Sequence, residues 1–119
     1  MKRKTRTITI NNKKYVWWWK VYYDSTELYL SPEGDKTSVI RVDFTDKSIN
    51  GQFNMCVVIR KDDTERTVKI IEPAMSGLLL PYLQEQAMFI TRKNIFIDGC
   101  DMLRKMGYEV VGIKKGLCW

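Results

Sequence analysis

Polar and apolar residues alternate with a period of two along most of the first 72 residues, and this pattern constrains the fold more than any other feature of the chain. Such alternation is typical of strands that bury one face. Strand-like segments cover residues 5–10, 14–23, 27–31, 38–44, 53–60 and 67–72. Turn-forming residues separate several of them, at Asn11 and Asn12 and again at residues 32–35. The pattern predicts an antiparallel β-meander, which a last strand at residues 108–113 would extend.

The period changes to that of a helix near the C-terminus. Apolar residues and one glycine form a continuous stripe at helical spacing, at Ile95, Phe96, Gly99, Met102, Leu103 and Met106. The stripe predicts an amphipathic helix over residues 92–106, with Thr91 as its N-cap and Gly107 as the left-handed residue that ends it. Because glycine is a poor helix former, Gly99 inside the stripe predicts that the helix backbone approaches a sheet closely.

Together these patterns predict an α+β fold, a curved antiparallel β-meander of six or seven strands with one C-terminal amphipathic helix at about 92–106 packed on one face. Residues 74–90 carry no assignment, because Gly77 and Pro81 would interrupt a long element there. At 119 residues the chain has the length of a single domain. We expect residues 1–5 to form a flexible basic tail.

The chain contains no histidine, which excludes the Ser-His and Cys-His nucleophile systems and removes the commonest metal ligand. Neither of the common glycine-rich phosphate-binding motifs occurs. We therefore predict no catalytic residue, no metal and no cofactor. An enzyme would have to use carboxylates alone, with two of four acids meeting in one pocket. The four are Asp43, Glu72, Asp98 and Asp101.

Three widely spaced cysteines, Cys56, Cys100 and Cys118, form neither a Cys-x-x-Cys motif nor an even set. We expect three reduced thiols, as in a reducing compartment. The charged start of the chain is not followed by the apolar core of a signal peptide. The longest apolar stretch, residues 77–83, is too short to span a bilayer. These features predict a cytoplasmic protein without a membrane partner.

Positive charge and aromatic rings are concentrated at the start of the chain. Seven of the 20 lysines and arginines lie in the first 23 residues, which hold no acid, and the net charge of the whole chain is +6. Three of the four tryptophans occupy residues 17–19. A surface that binds single-stranded nucleic acid needs aromatic platforms in a positive groove. The candidate ligand-binding residues here are Arg6, Lys14, Trp18, Lys20 and Tyr22.

Within this group, Trp18, Lys20 and Tyr22 alternate along one face of the predicted second strand, and Arg6 and Lys14 could add phosphate contacts from across the turn. The same segment also has a purely structural interpretation. In that case Trp17, Trp19 and Val21 are core residues, while Trp18 and Tyr22 pack beneath another element. Both interpretations are open at the level of sequence.

Arg92 and Lys93 form a second candidate site, in the first turn of the predicted helix. The exposed N–H groups of a helix start, together with two cations, would bind a phosphate or a partner's carboxylate. The alternative is an ordinary solvated surface, on which the two cations mildly oppose the helix dipole.

The opening sequence from Arg6 to Trp17, RTITINNKKYVW, resembles a set of small uncharacterised bacterial proteins that begin with an R-T-I-T-[VI]-[ND]-x-[KR]-x-Y-x-W hairpin. Near its end the chain is similar to them in a threonine-capped helix, the pair Gly107-Tyr108 and a short apolar tail, Leu117-Cys118-Trp119. The resemblance implies a bacterial, single-domain fold with strands first and a helix last. It implies no activity and no functional residue.

The sequence thus favours a non-enzymatic binding domain whose ligand is a polyanion such as nucleic acid. The alternative is a protein-interaction module, for example an inhibitor, an immunity-type protein or an accessory protein of a bacterial system. In that case the exposed aromatic side chains would anchor the interface. A histidine-free carboxylate enzyme is the second alternative. The oligomeric state is open.

Overall fold

A computed structural model describes residues 5–22, 25–45 and 55–115. In these ranges the chain forms eight strands and two helices. In chain order they are β1 (Arg6–Ile10), β2 (Lys13–Val21), β3 (Ser25–Pro32), β4 (Val39–Thr45), β5 (Met55–Lys61), β6 (Thr64–Lys69), α1 (Pro73–Glu85), β7 (Asn94–Asp98), α2 (Gly99–Lys105) and β8 (Glu109–Lys115). The chain is therefore a mixed α+β protein built mostly of strands.

The first sheet has the strand order β1-β2-β3-β4-β7. Its first four strands form the predicted antiparallel meander, and β7 adds to β4 in the parallel direction. Asn11 and Asn12 connect β1 to β2 with φ angles of 50° and 66°. Positive φ at both central residues matches the right-handed twist of a hairpin, which is why asparagine suits this turn.

The second sheet has the order β6-β5-β8, with both neighbours antiparallel to β5. Asp62 and Asp63 make the tight β5–β6 turn, again with positive φ. The predicted single meander of six or seven strands is therefore wrong in two respects, because the described residues form eight strands and these divide into two sheets. The alternation shows which residues face a core, but it does not show which strands pair.

Side chains of both sheets and both helices join in one buried cluster. The first sheet contributes Tyr15, Trp17, Leu28, Leu30, Ile40, Val42 and Phe44; the second contributes Val57, Ile59 and Val68; and the helices contribute Met75, Leu79, Leu80, Leu83, Met102 and Leu103. Ile8 of β1 also packs against this cluster, and its Cδ1 lies beside Gly77 of α1. One face of the first sheet thus packs against the core along most of its length.

The predicted helix over residues 92–106 is wrong in its first half. Residues 94–98 form β7, in which Ile95 and Ile97 are half-buried against the core while their neighbours are exposed. The helix begins only at Gly99, and Asp98 rather than Thr91 caps it, since the Asp98 carboxylate accepts a hydrogen bond of 3.1 Å from the Asp101 N–H. Pairing with β4 outweighs the helical spacing of the apolar residues in this segment.

Two other expectations about helix α2 are confirmed. Gly107 follows the helix with a φ of 99°, the left-handed conformation that ends a helix most readily. A Cβ at Gly99 would lie 2.3 Å from the Phe44 ring of β4, so the helix backbone does approach the sheet closely. Glycine is required there because any side chain would overlap the ring.

The stretch that the sequence left unassigned is mostly helical. Helix α1 runs from Pro73 to Glu85 and includes both Gly77 and Pro81, so these residues do not interrupt it. Pro73 stands at its first turn, where a proline costs little because the missing N–H has no helical partner. Burial of Met75, Leu79 and other apolar side chains outweighs the unfavourable propensity of two interior residues.

Cys56 is buried and disulfide-bonded, whereas Cys100 is not part of a disulfide. The expectation of three reduced thiols is therefore wrong for Cys56, and the cytoplasmic expectation loses that support. The basic tail before Thr5 and the apolar end Leu117-Cys118-Trp119 lie outside the described residues. Within the described ranges, neither helix has the length and hydrophobicity needed to cross a membrane.

Candidate functional site

The first sheet has a second face, which points away from the buried cluster, and we call it the outer face. The strand register assigns to it the alternate residues that are not in the core. They include Thr7 and Thr9 on β1, Lys14, Val16, Trp18 and Lys20 on β2 with Tyr22 just beyond it, Ser25, Glu27, Tyr29 and Ser31 on β3, Val39, Arg41 and Asp43 on β4, and Asn94, Phe96 and Asp98 on β7. The outer face therefore combines aromatic rings with charges of both signs.

A row of four side chains crosses the middle of the outer face, and we call it the aromatic–arginine row: Trp18, Tyr29, Arg41 and Phe96. They are register partners on β2, β3, β4 and β7. The Trp18 and Tyr29 rings stack with centroids 5.4 Å apart and planes 7° from parallel. The Arg41 guanidinium lies 5.6 Å from the Tyr29 ring and 4.9 Å from the Phe96 ring. The row is thus a continuous ladder of ring stacking and cation–π contacts.

Exposure changes along this row. Tyr29 in its middle is 9% exposed, because its neighbours cover it, whereas Phe96 at the sheet edge is 69% exposed. Lys20 lies above the Tyr29 ring with its ammonium 5.7 Å from the centroid. Tyr22, just beyond the end of β2, is 42% exposed. The rings available to a ligand are therefore Phe96, Tyr22 and the half-buried Trp18.

Glu27 is the buried acid of the outer face, with an exposed fraction of 5%. It forms a charged hydrogen bond with the Arg41 Nε and accepts one of 3.1 Å from the Tyr29 hydroxyl. Burial raises the pKa of the Glu27 carboxyl, but hydrogen bonds from Arg41, Tyr22 and Tyr29 and the charge of Arg41 together hold it below its usual value. Glu27 is therefore ionised at neutral pH and neutralises Arg41.

The contacts with Glu27 also keep the Tyr29 phenol protonated. Burial raises the pKa of the Tyr29 phenol, and the hydrogen bond to Glu27 and its negative charge raise it further. Tyr29 thus acts as a neutral hydrogen-bond donor. Its side chain positions the Glu27–Arg41 pair and supports the Trp18 ring.

Two hollows flank the aromatic–arginine row. A groove of about 600 Å³ lies beside Trp18, with an apolar floor and a rim that carries one acid and one base. It is lined by Thr5, Val16, Trp18, Ser31, Pro32, Glu33, Lys36 and Val39. A smaller hollow of about 350 Å³ on the other side is lined by Tyr22, Ser25, Glu27 and Arg41. The row is therefore bordered by a hollow on each side.

Basic residues gather at the end of the first sheet where β2, β4 and β7 begin. They are Lys13, Lys14, Lys36, Arg92 and Lys93. Asp35 ties this end together, because its carboxylate accepts hydrogen bonds from Thr37 and, at 2.7 Å, from the Thr91 hydroxyl. The hydrogen bonds from the Thr37 and Thr91 hydroxyls lower the pKa of the exposed Asp35 carboxyl most, and burial raises it. The Thr37 N–H and the charge of Arg92 lower it further, so that it lies below its usual value.

The expectation that Arg92 and Lys93 start a helix is wrong, because the helix begins at Gly99, so helix N–H groups do not take part in any anion site at these residues. They precede β7, where Arg92 has a φ of 62° and its N–H donates a 2.9 Å hydrogen bond to the Thr37 hydroxyl. The Lys93 carbonyl accepts from the Val39 N–H. Their side chains nevertheless lie at the same end of the sheet as Lys14.

The other predicted residues divide between the two faces. Trp18, Lys20 and Tyr22 share the outer face, as the alternation predicted, and Lys14 lies on the same face. Arg6 lies on the opposite side, with its guanidinium 5.9 Å from the Trp17 ring and 5.4 Å from the Trp19 ring. Arg6 is opposite Trp17 in the register, and opposed residues point to the same side of a sheet, so it cannot join Trp18.

Tyr29, Arg41, Phe96 and Lys36 belong to the outer face or its rim, and the sequence analysis did not select them as site residues. Arg41 lies on the polar side of the strand predicted at residues 38–44, so the alternation of that segment could have shown that its side chain faces away from the core. Phe96 was assigned to the stripe of a helix, which concealed that it stands exposed on an edge strand.

Two of the four acids considered for catalysis come together. Asp43 of β4 and Asp98 of β7 are register partners on the outer face, and Glu27 is the partner of Asp43 on its other side. Glu72 precedes α1, and Asp101 lies in α2. Within residues 5–22, 25–45 and 55–115, no three acids, cysteines or histidines cluster as metal ligands would.

Comparison of this chain with protein-family models, with curated proteins and with solved structures found no match.

Proposed function

We propose that the outer face of the first sheet binds single-stranded nucleic acid and that the protein is a non-enzymatic binding domain. The aromatic–arginine row carries this proposal, because it offers ring surfaces and a guanidinium plane in one line across an open sheet. Stacking on such platforms contributes about 1–3 kcal/mol per base and tolerates any sequence, since every base has a π-face.

The exposed rings suit bases that are splayed out from a flexible strand. Phe96 and Tyr22 offer open ring surfaces, and the groove beside Trp18 has an apolar floor that can receive another base. A duplex hides its bases within the stack, so this surface favours a single strand.

The basic side chains beside the row suit a phosphate backbone, whereas Asp43 and Asp98 on the same face oppose one. Lys14 and Lys20 are exposed on the outer face, and Lys36 stands on the rim of the groove. Glu27 does not oppose a polyanion strongly, because its charge is already neutralised by Arg41. We assign phosphate contacts to Lys14 and Lys20, with Arg92 and Lys93 at the basic end of the sheet.

A second candidate is a protein partner, as for an inhibitor, an immunity-type or an accessory protein. The exposure of Phe96 and Tyr22 favours it, because aromatic residues anchor many protein interfaces. We further propose a bacterial setting, which the sequence resemblance supports, and a cytoplasmic one, which the wide spacing of the three cysteines supports; the disulfide at Cys56 is the observation that opposes the cytoplasm.

A tryptophan-fluorescence titration with a mixed-sequence single-stranded oligonucleotide tests the proposal. We expect saturable quenching at low salt and a linear fall of log affinity with log salt concentration. In the double variant Lys14→Gln/Lys20→Gln the slope should be shallower by about 1.4, because each phosphate contact with a single strand contributes about 0.7.

The matched control is Arg66→Gln/Arg104→Gln, which removes the same charge from exposed positions on β6 and α2. Its slope should stay within about 0.3 of the wild-type value if binding is localised to the outer face. Absence of quenching at low salt, or equal slopes for the two double variants, would exclude a nucleic-acid site on the outer face. Capture of a protein that is lost with Tyr22→Ala would then support the second candidate.

A further inference from the structure

Strand β7 ends the first sheet on one side, and none of the described strands pairs with its outer edge. An unpaired edge is a template for another strand, and proteins usually blunt such edges with charges. Strand β6, at the edge of the second sheet, is exposed and charged, with Glu65 and Arg66. Strand β7 instead presents Phe96, which is 69% exposed.

The sequence of β7 is self-complementary about its central residue. In an antiparallel pair centred on Phe96, Ile95 of one strand lies opposite Ile97 of the other, and Asn94 lies opposite Asp98. An asparagine amide can donate to an aspartate carboxylate, and the two isoleucine pairs cover the core side. No like charges oppose each other within this register.

The charges just outside β7 agree with the same arrangement. Arg92 and Lys93 precede the strand, whereas Asp98 ends it and Asp101 follows in the first turn of α2. Antiparallel pairing places the basic start of each strand beside the acidic end of the other. Parallel pairing in register would place like charges side by side.

A shallow groove of about 310 Å³ along the core side of β7 completes the surface. Its apolar lining includes Met88, Ile95, Ile97 and Met102, and its polar lining includes Asp101 and Lys105. A second strand at this edge would cover the apolar part and bring its own Lys93 towards Asp101.

We propose that β7 pairs with β7 of a second copy of this chain, antiparallel and with the two-fold axis at Phe96. The interface is isologous, since each copy supplies the same strand. The two five-stranded sheets then join into one continuous sheet. Their outer faces also join, so that the two Phe96 side chains meet at the axis and the two aromatic–arginine rows run end to end.

Sedimentation velocity of the free protein over a range of concentrations tests this interface. We expect a reversible dimer for the wild type. Phe96→Lys places two ammonium groups at the axis and removes the aromatic pair, which should weaken dimerisation at least about tenfold. The matched control Val111→Lys changes another exposed apolar side chain on a strand of the second sheet, and it should dimerise like the wild type.

Hydrogen exchange provides a test without a mutation. Amides of residues 94–98 should exchange more slowly as protein concentration rises, whereas those of β1, the opposite edge of the same sheet, should not change. A monomer at the highest concentration, a Phe96→Lys variant that dimerises like the wild type, or no concentration dependence in residues 94–98 would each overturn the proposal. Because these experiments contain no nucleic acid, their outcome is independent of the oligonucleotide titration.

Discussion

Glu27 shows how a single buried charge organises the outer face. It lies beneath Arg41 and Tyr29, at a position that the alternation of β3 alone would make an ordinary polar residue. Its side chain fixes the guanidinium that separates the Tyr29 and Phe96 rings. Removing one partner of such a cluster leaves the others without their hydrogen bonds, which costs more than the bond itself contributes.

We predict that Glu27→Gln lowers the free energy of unfolding by about 1–3 kcal/mol at pH 7. The folded-state pKa of Glu27 lies below its usual value of 4.5, so the ionised carboxylate stabilises the fold above that pH. As the pH falls through the folded-state pKa, this contribution is lost and the two proteins should converge. Urea denaturation between pH 3 and about pH 7 measures the difference.

The control for this prediction is Glu65→Gln, which removes the partner of Arg60 from an exposed ion pair of 3.0 Å. Exposed pairs contribute about 0–1 kcal/mol, so this variant should change stability little at any pH. A Glu27→Gln variant as stable as Glu65→Gln at neutral pH would contradict the role given to the buried pair.

The close contact of Gly99 with the Phe44 ring can be tested by substitution. A Cβ at this position would overlap the buried Phe44 ring, so Gly99→Ala should lower the free energy of unfolding by about 1–3 kcal/mol. Gly34 is the matched control, because nothing lies within 4 Å of the Cβ that alanine would add there. Chemical denaturation measures the stability of both variants. Equal stability of Gly99→Ala and Gly34→Ala would contradict the close approach of α2 to the Phe44 ring.

Among the elements, β7 and α2 lie in one stretch of sequence whose apolar residues fit both the helical period of about 3.6 residues and the strand period of two. The apolar residues of this segment fit a helical stripe, but Ile95 and Ile97 also alternate, and only the neighbouring β4 decides between the two. The sequence did contain a signal for the Asp98 cap, because an aspartate followed three residues later by another acid, Asp101, is typical of a helix start. Tertiary pairing overrode the longer helical pattern.

Helix α1 packs against β1 near Gly77, and a substitution there tests this contact. Gly77 stands inside the helix, and a Cβ there would lie 3.7 Å from Ile8 Cδ1, an ordinary contact distance. Because alanine is a better helix former, we expect Gly77→Ala to raise the free energy of unfolding by about 0.5–1 kcal/mol. Thermal and urea denaturation measure it, and a loss of stability would show that α1 and β1 lie closer together than described.

At the scale of the whole molecule, the sequence predicted where most strands lie but not how they assemble. Seven predicted strand segments correspond to β1–β6 and β8, because a half-buried strand leaves a period of two in its residues. The division into two sheets, and the parallel neighbour of β4, depend on contacts between distant segments. The same holds for the site. The alternation of β2 was enough to place Trp18, Lys20 and Tyr22 on one face, whereas the exposure of Phe96 could be predicted only once β7 was known to be a strand.

The parallel pairing of β4 with β7 also has a consequence for the order of folding. Between β4 and β7 in the sequence lie β5, β6 and α1, so the pairing of Asn94 with Val39 joins two distant segments of the chain. Closing so long a loop is entropically costly, and topologies rich in distant contacts fold slowly. We therefore expect the meander to form early and β7 to dock late. Until it docks, β4 is itself an unprotected edge, so newly made chains pass through a stage at which wrong partners can compete for it.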